Sequence, residues 1–356
     1  MPGRRPRLAV TLGDAAGIGP ELVLRLASDP GIAALCQLLI YGNHDILQRV
    51  AASAGLDVPS SLQVLPSHAR VSADTRNMAE HVLIDFPFEG VAAIRPGLVQ
   101  AACGRQAHAW ICEAVRDIQN GRAEALVTAP IHKAALHAAG IRTPGHTELL
   151  SSLTNGATPC MAFYSDRVFV ALATIHEAIR DVPGLLTTQG LLHTIRLTCS
   201  ACERFKGGRP RIAVLALNPH AGEDGLFGDE EHKIIVPAMA AARAEGFEVT
   251  GPLVPDTAFT WLTSGRPPPF DGYVAMYHDQ GLIPFKMAAF DTGVNVTLGL
   301  PLIRTSPDHG TAFDLAWQGK ASPESLACAI RLAVRMATPS KKTVSSACLA
   351  KRNPIN

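Results

Sequence analysis

An α/β protein built on a largely parallel sheet is the fold class this sequence predicts, on three observations. Short apolar runs rich in β-branched residues alternate with longer helical patterns along the chain. Several of those runs end in glycine-rich or histidine-bearing turns, where ligands sit in open parallel sheets. The length, 356 residues, is comfortable for two domains with a cleft between them.

Taken in order, LAVTL at 8–12 is the first strand pattern. It discharges into GDAAGIGPE, a glycine-rich turn opening a helix at 20–28, with Pro20 suited to the first helical turn. LLIY at 38–41 and ALVT at 125–128 are short apolar strands on either side of a long helical pattern at 99–119. Further strands fall at 168–173, 212–217, 273–276 and 294–298, with helices at 191–206 and 230–245. KGGRP at 206–210 stops a helix before the next strand. The tail at 339–356 is polar, basic and weakly patterned, and is expected to fray.

Composition narrows the function. Hydrophobic residues make up 47% and charged ones 18%, and no apolar stretch is long enough to span a bilayer, so a soluble globular protein is expected. A formal charge of +1, with no basic run interleaved with aromatics, argues against nucleic acid and membrane surfaces as partners. MPGRRPR leads straight into a strand pattern, so no secretory signal is expected. Eight scattered cysteines suit a reduced, cytoplasmic chain. Cys199 and Cys202 form a C-x-x-C, but inside a helical pattern with no second pair, which reads as packing.

Chemistry is sought just after each strand. His176 in TIHEAIR, His220 in NPHAGEDG and His278 in YHDQG each follow a strand pattern. Three neutral imidazoles from separate strand ends suit an open catalytic site for zinc or a similar divalent ion. Any one of them alone is better explained as a cap or a satisfied surface residue. GDAAGIGPE has G-x-x-x-G-x-G spacing, so the standard dinucleotide fingerprint is absent. In PGHTELL, His146 and Thr147 precede a helical pattern, where Thr147 is placed to cap the helix and backbone N–H groups to face an anion. Lys286, Asn295 and Arg304 offer an ammonium, an amide and a guanidinium, a donor set for phosphate or carboxylate. Asn295 interrupts the apolar strand GVNVTLGL and needs a partner there. His132 and Lys133 in APIHKAAL are secondary cleft candidates, with helix-start roles as the alternative.

Together these stretches resemble the 4-hydroxythreonine-4-phosphate dehydrogenase family of pyridoxal phosphate biosynthesis. The likeness runs over 8–337, through GDAAGIGPE, TAPIHKAAL, GHTELL, NPHAGEDGLFGDEE, AMYHDQGLIPFK, GVNVTLGLPLIRTSPDHGTAFDLA and GKASPESL. The resemblance implies the fold of the isocitrate and isopropylmalate dehydrogenases: two α/β/α domains with a central cleft, in a homodimer with shared active sites. The domains implied are 1–130 plus 300–356 on the cofactor side, and 131–299 for metal, substrate and dimerisation. It places metal ligands on His176, His220 and His278, the last supplied across the dimer interface. Substrate-binding residues fall on His146, Thr147, Lys286, Asn295 and Arg304, with Asp256 near the metal. DHGTAFDLAWQGKAS resembles a loop that wraps the adenosine part of a nicotinamide cofactor, which assigns Asp308, His309, Gly310 and Thr311 to the cofactor. Where the family's first motif carries a proline this chain has Ala15, a change expected to alter loop stiffness more than chemistry.

The activity implied is a metal-dependent oxidation of 4-phosphooxy-L-threonine by NAD or NADP, followed by decarboxylation to 3-amino-2-oxopropyl phosphate. Lys286 and Asp256 are the expected catalytic side chains, and the ion is zinc, or magnesium or cobalt. Paralogues that oxidise D-threonate or D-erythronate 4-phosphate remain an alternative, whereas the anion donors weigh against the ring-dihydrodiol paralogues. From other classes, a metal-dependent phosphohydrolase lacks a paired-carboxylate motif here, and a non-catalytic binding protein has no need of three potential ligands at separate strand ends.

Overall fold

The computed structural model describes residues 5–71, 81–143 and 145–338. Its strands are β1 (Arg7–Thr11), β2 (Gln37–Gly42), β3 (Gln63–Pro66), β4 (His81–Asp85), β5 (Ala125–Thr128), β6 (Cys160–Tyr164), β7 (Phe169–Leu172), β8 (Arg211–Leu215), β9 (Glu248–Leu253), β10 (Gly272–Ala275), β11 (Val294–Leu298) and β12 (Arg304–Pro307). They form one sheet in the order β3-β4-β2-β1-β5-β12-β11-β6-β7-β10-β8-β9. The chain builds one half up to β5, crosses to build β6 to β11, and returns with β12 to the first half.

Most neighbours are parallel, as the alternation implies, but the three central pairs β12–β11, β11–β6 and β6–β7 are antiparallel. Connection length is the reason. Residues 165–168 join β6 to β7 in a turn closed by Ser165 N–H to Val168 O at 2.9 Å, and residues 299–303 return β11 to β12 through Gly299 at φ +82°. Neither is long enough for a parallel crossover.

The helices are α1 (Gly19–Ala27), α2 (Pro30–Leu35), α3 (His44–Ala54), α4 (Ala101–Gln119), α5 (Lys133–Ala138), α6 (His146–Leu153), α7 (Val182–Leu185), α8 (Thr188–Lys206), α9 (Val236–Ala244), α10 (His278–Ala289) and α11 (Glu324–Ala337). α4 buries Cys103, Ala107, Trp110, Ile111 and Ala114, the apolar stripe of a 3.6-residue period. α11 does the same with Leu326, Ala329, Ile330 and Ala333. The pattern at 230–245 divides into a wide turn at Glu231–Ile235 and then α9. Pro237 has no N–H to donate back along the helix, so the backbone widens just before it.

Five strands fall outside the strand patterns expected from the sequence. β3 is an exposed edge, β9 contains Gly251–Pro252, and β4 and β6 are buried apolar runs of five residues each. β12, RTSP, is polar yet fully buried, because its side chains find partners inside: Thr305 Oγ1 donates to Ala329 O at 2.8 Å.

Seven cysteines among the described residues are free. Cys199 and Cys202 are buried in α8, and burial pushes the Cys199 thiol up to about 12 and the Cys202 thiol up as well, as packing residues require. Among the described residues, no helix is long and apolar enough to cross a membrane. The expected frayed tail falls on 339–356, outside the described residues.

Candidate active site

Strand order places the three histidine loops side by side. β7, β10 and β8 are adjacent and parallel, so the loops that follow them leave the same edge of the sheet. His176 follows β7, His278 opens α10 after β10, and His220 follows β8. The rings of His176 and His278 come within 5.7 Å, centroid to centroid. The His220 ring instead lies 6.3 Å from that of Phe227. Within one chain, no group of three His, Cys, Asp or Glu side chains is gathered as a ligand set among the described residues.

Side chains that sequence reading passed over tie these loops together. Thr174 Oγ1 donates to Met276 O at 2.7 Å, joining the loop after β7 to the end of β10. Gln280 accepts from Met276 N–H and donates to Ala216 O, both at 2.7 Å, joining β10 to β8. Glu231 is buried and accepts the N–H groups of Leu217 and Asn218 at 2.8 Å each. That anchorage matters because His220, Ala221, Glu223 and Asp224 all adopt left-handed backbone at φ between 42° and 57°. Such conformations persist only where the surroundings hold them. The available signal was a polar residue just after a buried strand, which is weak by itself.

The two close imidazoles suit a divalent ion. Burial, with the charges of Lys133 and His278, holds His176 below its ordinary value, so the ring is neutral and able to ligate. His278 Nδ1 lies 2.7 Å from Asp279 Oδ1, a contact of the kind that fixes ring orientation in metal sites.

Arg304 is the most unusual side chain nearby. It is 3% exposed, yet its guanidinium meets only neutral acceptors: Thr128 Oγ1 at 2.8 and 3.2 Å, Thr297 Oγ1 at 2.9 Å and Asn295 Oδ1 at 3.2 Å. Among the described residues no carboxylate pairs with it, and burial pulls its pKa down. The Asn295 amide thus has the partner its strand position demanded. His146 stands close by as the first residue of α6, its buried Nε2 without a hydrogen-bond partner. Burial and then the Arg304 charge push this imidazole well below the usual range, so it is neutral. The cap of α6 is Gly145; Thr147 is the second helical residue and makes no capping bond, because Gly145 alone adopts the non-helical backbone of that position.

Two cavities meet at His146 and Arg304. One, of about 390 Å³, is also lined by Lys133, Thr147, His176 and Asn295. The other, of about 120 Å³, is bounded by Thr128, Ser306, His309 and Gly310. Residues assigned to substrate and residues assigned to cofactor therefore share a wall.

Lys286 and Asp256 lie outside both cavities. Lys286 faces Asp308, with Nζ 2.6 Å from its Oδ2, and lines neither cavity. Burial raises the Asp308 carboxyl and Lys286 partly offsets that. Asp256 is exposed in the loop after β9, away from both cavities. His132 precedes α5 and stacks on Phe313 at 4.6 Å.

The segment 308–321 folds over the glycine-rich turn. Thr311 O accepts from Ile18 N–H at 3.1 Å, and Trp317 Nε1 donates to Ala15 O at 3.0 Å. Gly13 takes φ +70° and approaches Pro130 so closely that a Cβ would stand 2.2 Å from its carbonyl oxygen.

Asp14, fully buried in that turn, carries a pH prediction. Burial pushes its carboxyl from 3.8 up to about 6, with the Ala16 N–H and Cys103 offsetting part of the rise. Between those values the folded chain holds a proton that the unfolded chain has released, so stability falls as pH rises from 4 to 6. At pH 7 the ionised group costs about 3 kcal/mol. Asp14→Asn is expected to be more stable at pH 7 and to lose that slope. Denaturant unfolding at pH 4 and pH 7 checks it; an unchanged slope would show that the carboxylate is accommodated.

Comparison with known proteins gives the family. The family model described as pyridoxal phosphate biosynthetic protein PdxA matches residues 34–333. A 4-hydroxythreonine-4-phosphate dehydrogenase of Geobacter metallireducens is 45% identical, over 95% of this chain and 97% of its own. A D-threonate 4-phosphate dehydrogenase of Pectobacterium atrosepticum is 42% identical, over 93% of this chain and 99% of its own. The crystal structure of a 4-hydroxythreonine-4-phosphate dehydrogenase from Klebsiella pneumoniae superposes with a TM-score of 0.82 at 41% identity, covering 95% of this chain and 99% of that one. With a family match over most of its length and relatives this similar end to end, the chain belongs to the PdxA family.

Proposed function

We propose that this protein oxidises 4-phosphooxy-L-threonine with NAD or NADP and releases CO₂ to give 3-amino-2-oxopropyl phosphate, in pyridoxal 5'-phosphate biosynthesis. As a member of its family it is an oxidoreductase. The observation that carries the substrate class is Arg304: a buried guanidinium without a carboxylate, beside an unpartnered neutral imidazole and at the junction of two cavities, is a site waiting for an anion.

Arg304, Asn295, His146 and Thr147 bind and orient the substrate's anionic groups in the larger cavity. The segment carrying Asp308, His309, Gly310 and Thr311 holds the nicotinamide cofactor on the other side of Arg304. Lys286, bound to Asp308, links that segment to α10 and is placed to hold or pass a proton, with Asp256 contributing from the loop after β9. His176, His278 and His220 would hold a divalent ion, zinc or else magnesium or cobalt. Bound there, such an ion supplies a Lewis acid that lowers the pKa of a substrate hydroxyl.

A homodimer with shared sites is part of this reading. α10, which begins at His278, and its C-cap Phe290 expose Ile283, Met287 and Phe290 at 61%, 78% and 73%, an apolar stripe suited to burial against a second copy. The return from β11 to β12 supports a division of the chain near 130 and 300. The free cysteines fit a cytoplasmic setting.

A second reading keeps the site and changes the substrate to D-threonate or D-erythronate 4-phosphate, as the Pectobacterium relative's name suggests. The test is NADH or NADPH absorbance with the three phosphorylated acids side by side, with and without added zinc. The proposal expects preference for the amino acid and loss of activity in His278→Ala. Preference for a sugar acid would establish the second reading, and no reduction with any of them would overturn the dehydrogenase assignment.

A further inference from the structure

We propose that Thr128 and Thr297 are positioning residues for anion recognition, their hydroxyls holding the Arg304 guanidinium at the cavity wall without neutralising it. This rests on the reading of Arg304 as the substrate-anion anchor. Thr128 closes β5 and Thr297 lies in β11, the two strands that flank β12, where Arg304 is the first residue. Thr128 is fully buried and Thr297 nearly so.

The geometry is that of a cradle. Thr128 Oγ1 takes the Nη2 and Nε sides of the guanidinium at 2.8 and 3.2 Å, and Thr297 Oγ1 takes Nη1 at 2.9 Å. Asn295, the partly exposed partner, takes Nη1 at 3.2 Å. A guanidinium has five N–H donors, so one on Nη2 remains beyond these contacts. A carboxylate in either threonine's place would hold the arginine equally well, but its charge would compete with the incoming anion. A hydroxyl accepts the hydrogen bond and leaves the positive charge available.

The alternative is that both threonines only pack the sheet. Valine has nearly the same shape and strand preference as threonine and lacks the hydroxyl, so Thr128→Val and Thr297→Val separate the two roles. Serine restores the hydroxyl. A hydrogen bond to a charged group is worth roughly tenfold or more in an equilibrium.

The experiment is calorimetric titration of the wild type and of Thr128→Val, Thr128→Ser and Thr297→Val, with thermal unfolding of each. The probes are 4-phosphooxy-L-threonine, D-threonate 4-phosphate and inorganic phosphate. The expected result is at least about tenfold weaker binding in each valine variant. Thr128→Ser should stay within about threefold of wild type, a smaller change than loss of the bond brings. In steady-state assays the valine variants should raise KM more than they lower kcat. Valine variants that bind like wild type, or a serine variant as weak as the valine one, would overturn the proposal. If Thr128→Val does not fold, Thr297→Val decides on the same criterion. A wild type that binds none of the three probes would instead show that Arg304 is not an anion anchor, and the inference would fall with that reading.

Discussion

Replacing Arg304 with methionine is expected to lower kcat/KM for the phosphorylated substrate by about a thousandfold and to leave thermal stability unchanged or slightly higher. The two effects have one cause. The guanidinium is buried against hydroxyl and amide oxygens only, so folding bears its desolvation without a carboxylate to compensate. Methionine fills similar space without that penalty, although it leaves the Thr128, Thr297 and Asn295 acceptors with one partner fewer. A structural cation behaves the other way, because its loss orphans a buried carboxylate and costs several kcal/mol. Thermal unfolding together with steady-state kinetics checks both halves. Activity within about tenfold of wild type would remove Arg304 from substrate binding, since truncating a buried, charged contact costs more than that.

The second large effect is expected from Glu21→Ala. Glu21 is fully buried in α1 and accepts Gly319 N–H at 3.2 Å and Ala321 N–H at 3.0 Å, with Arg25 3.6 Å away. It is therefore the clamp that fastens 308–321 over the glycine-rich turn, nearly 300 residues away in sequence. Trp317 completes the closure, with its indole N–H on Ala15 O and the Arg49 guanidinium 5.0 Å from the ring centre. Alanine leaves the buried Ala321 N–H and the part-buried Gly319 N–H without an acceptor, which costs about 3 kcal/mol. The segment it frees carries the residues proposed for the cofactor, so the KM for NAD or NADP should rise at least about tenfold, the size of a 1.4 kcal/mol loss, and the KM for the phosphorylated acid much less. Denaturant unfolding and KM measurements with each substrate varied in turn test this. Equal changes in both constants would show that 308–321 does not belong to the cofactor side alone.

Legibility in the sequence depended on how local the cause was. Strands β1, β2, β5 and β10 are short apolar runs because both faces are covered, and that needs no knowledge of neighbours. β12 could not be read that way: RTSP is polar, and only the acceptors around Arg304 and Thr305 make it a buried strand. Thr147 is expected as a cap from its place before a helical pattern, but the helix already begins at His146 and its cap is Gly145.

By itself the sequence determined the α/β class, the positions of the two longest helices, α4 and α8, and the donor types offered to a ligand, because each depends on side-chain periodicity or chemistry within a few residues. It also determined that histidines follow three strands. Only the tertiary structure decided that β7, β10 and β8 are neighbours, so that His176 and His278 approach to 5.7 Å while His220 stays beside Phe227. Likewise it decided that Arg304 is buried between Thr128 and Thr297 and that Glu21 reaches Gly319. These contacts join residues far apart in the chain, and strand order and register fix them without leaving a pattern in any local stretch.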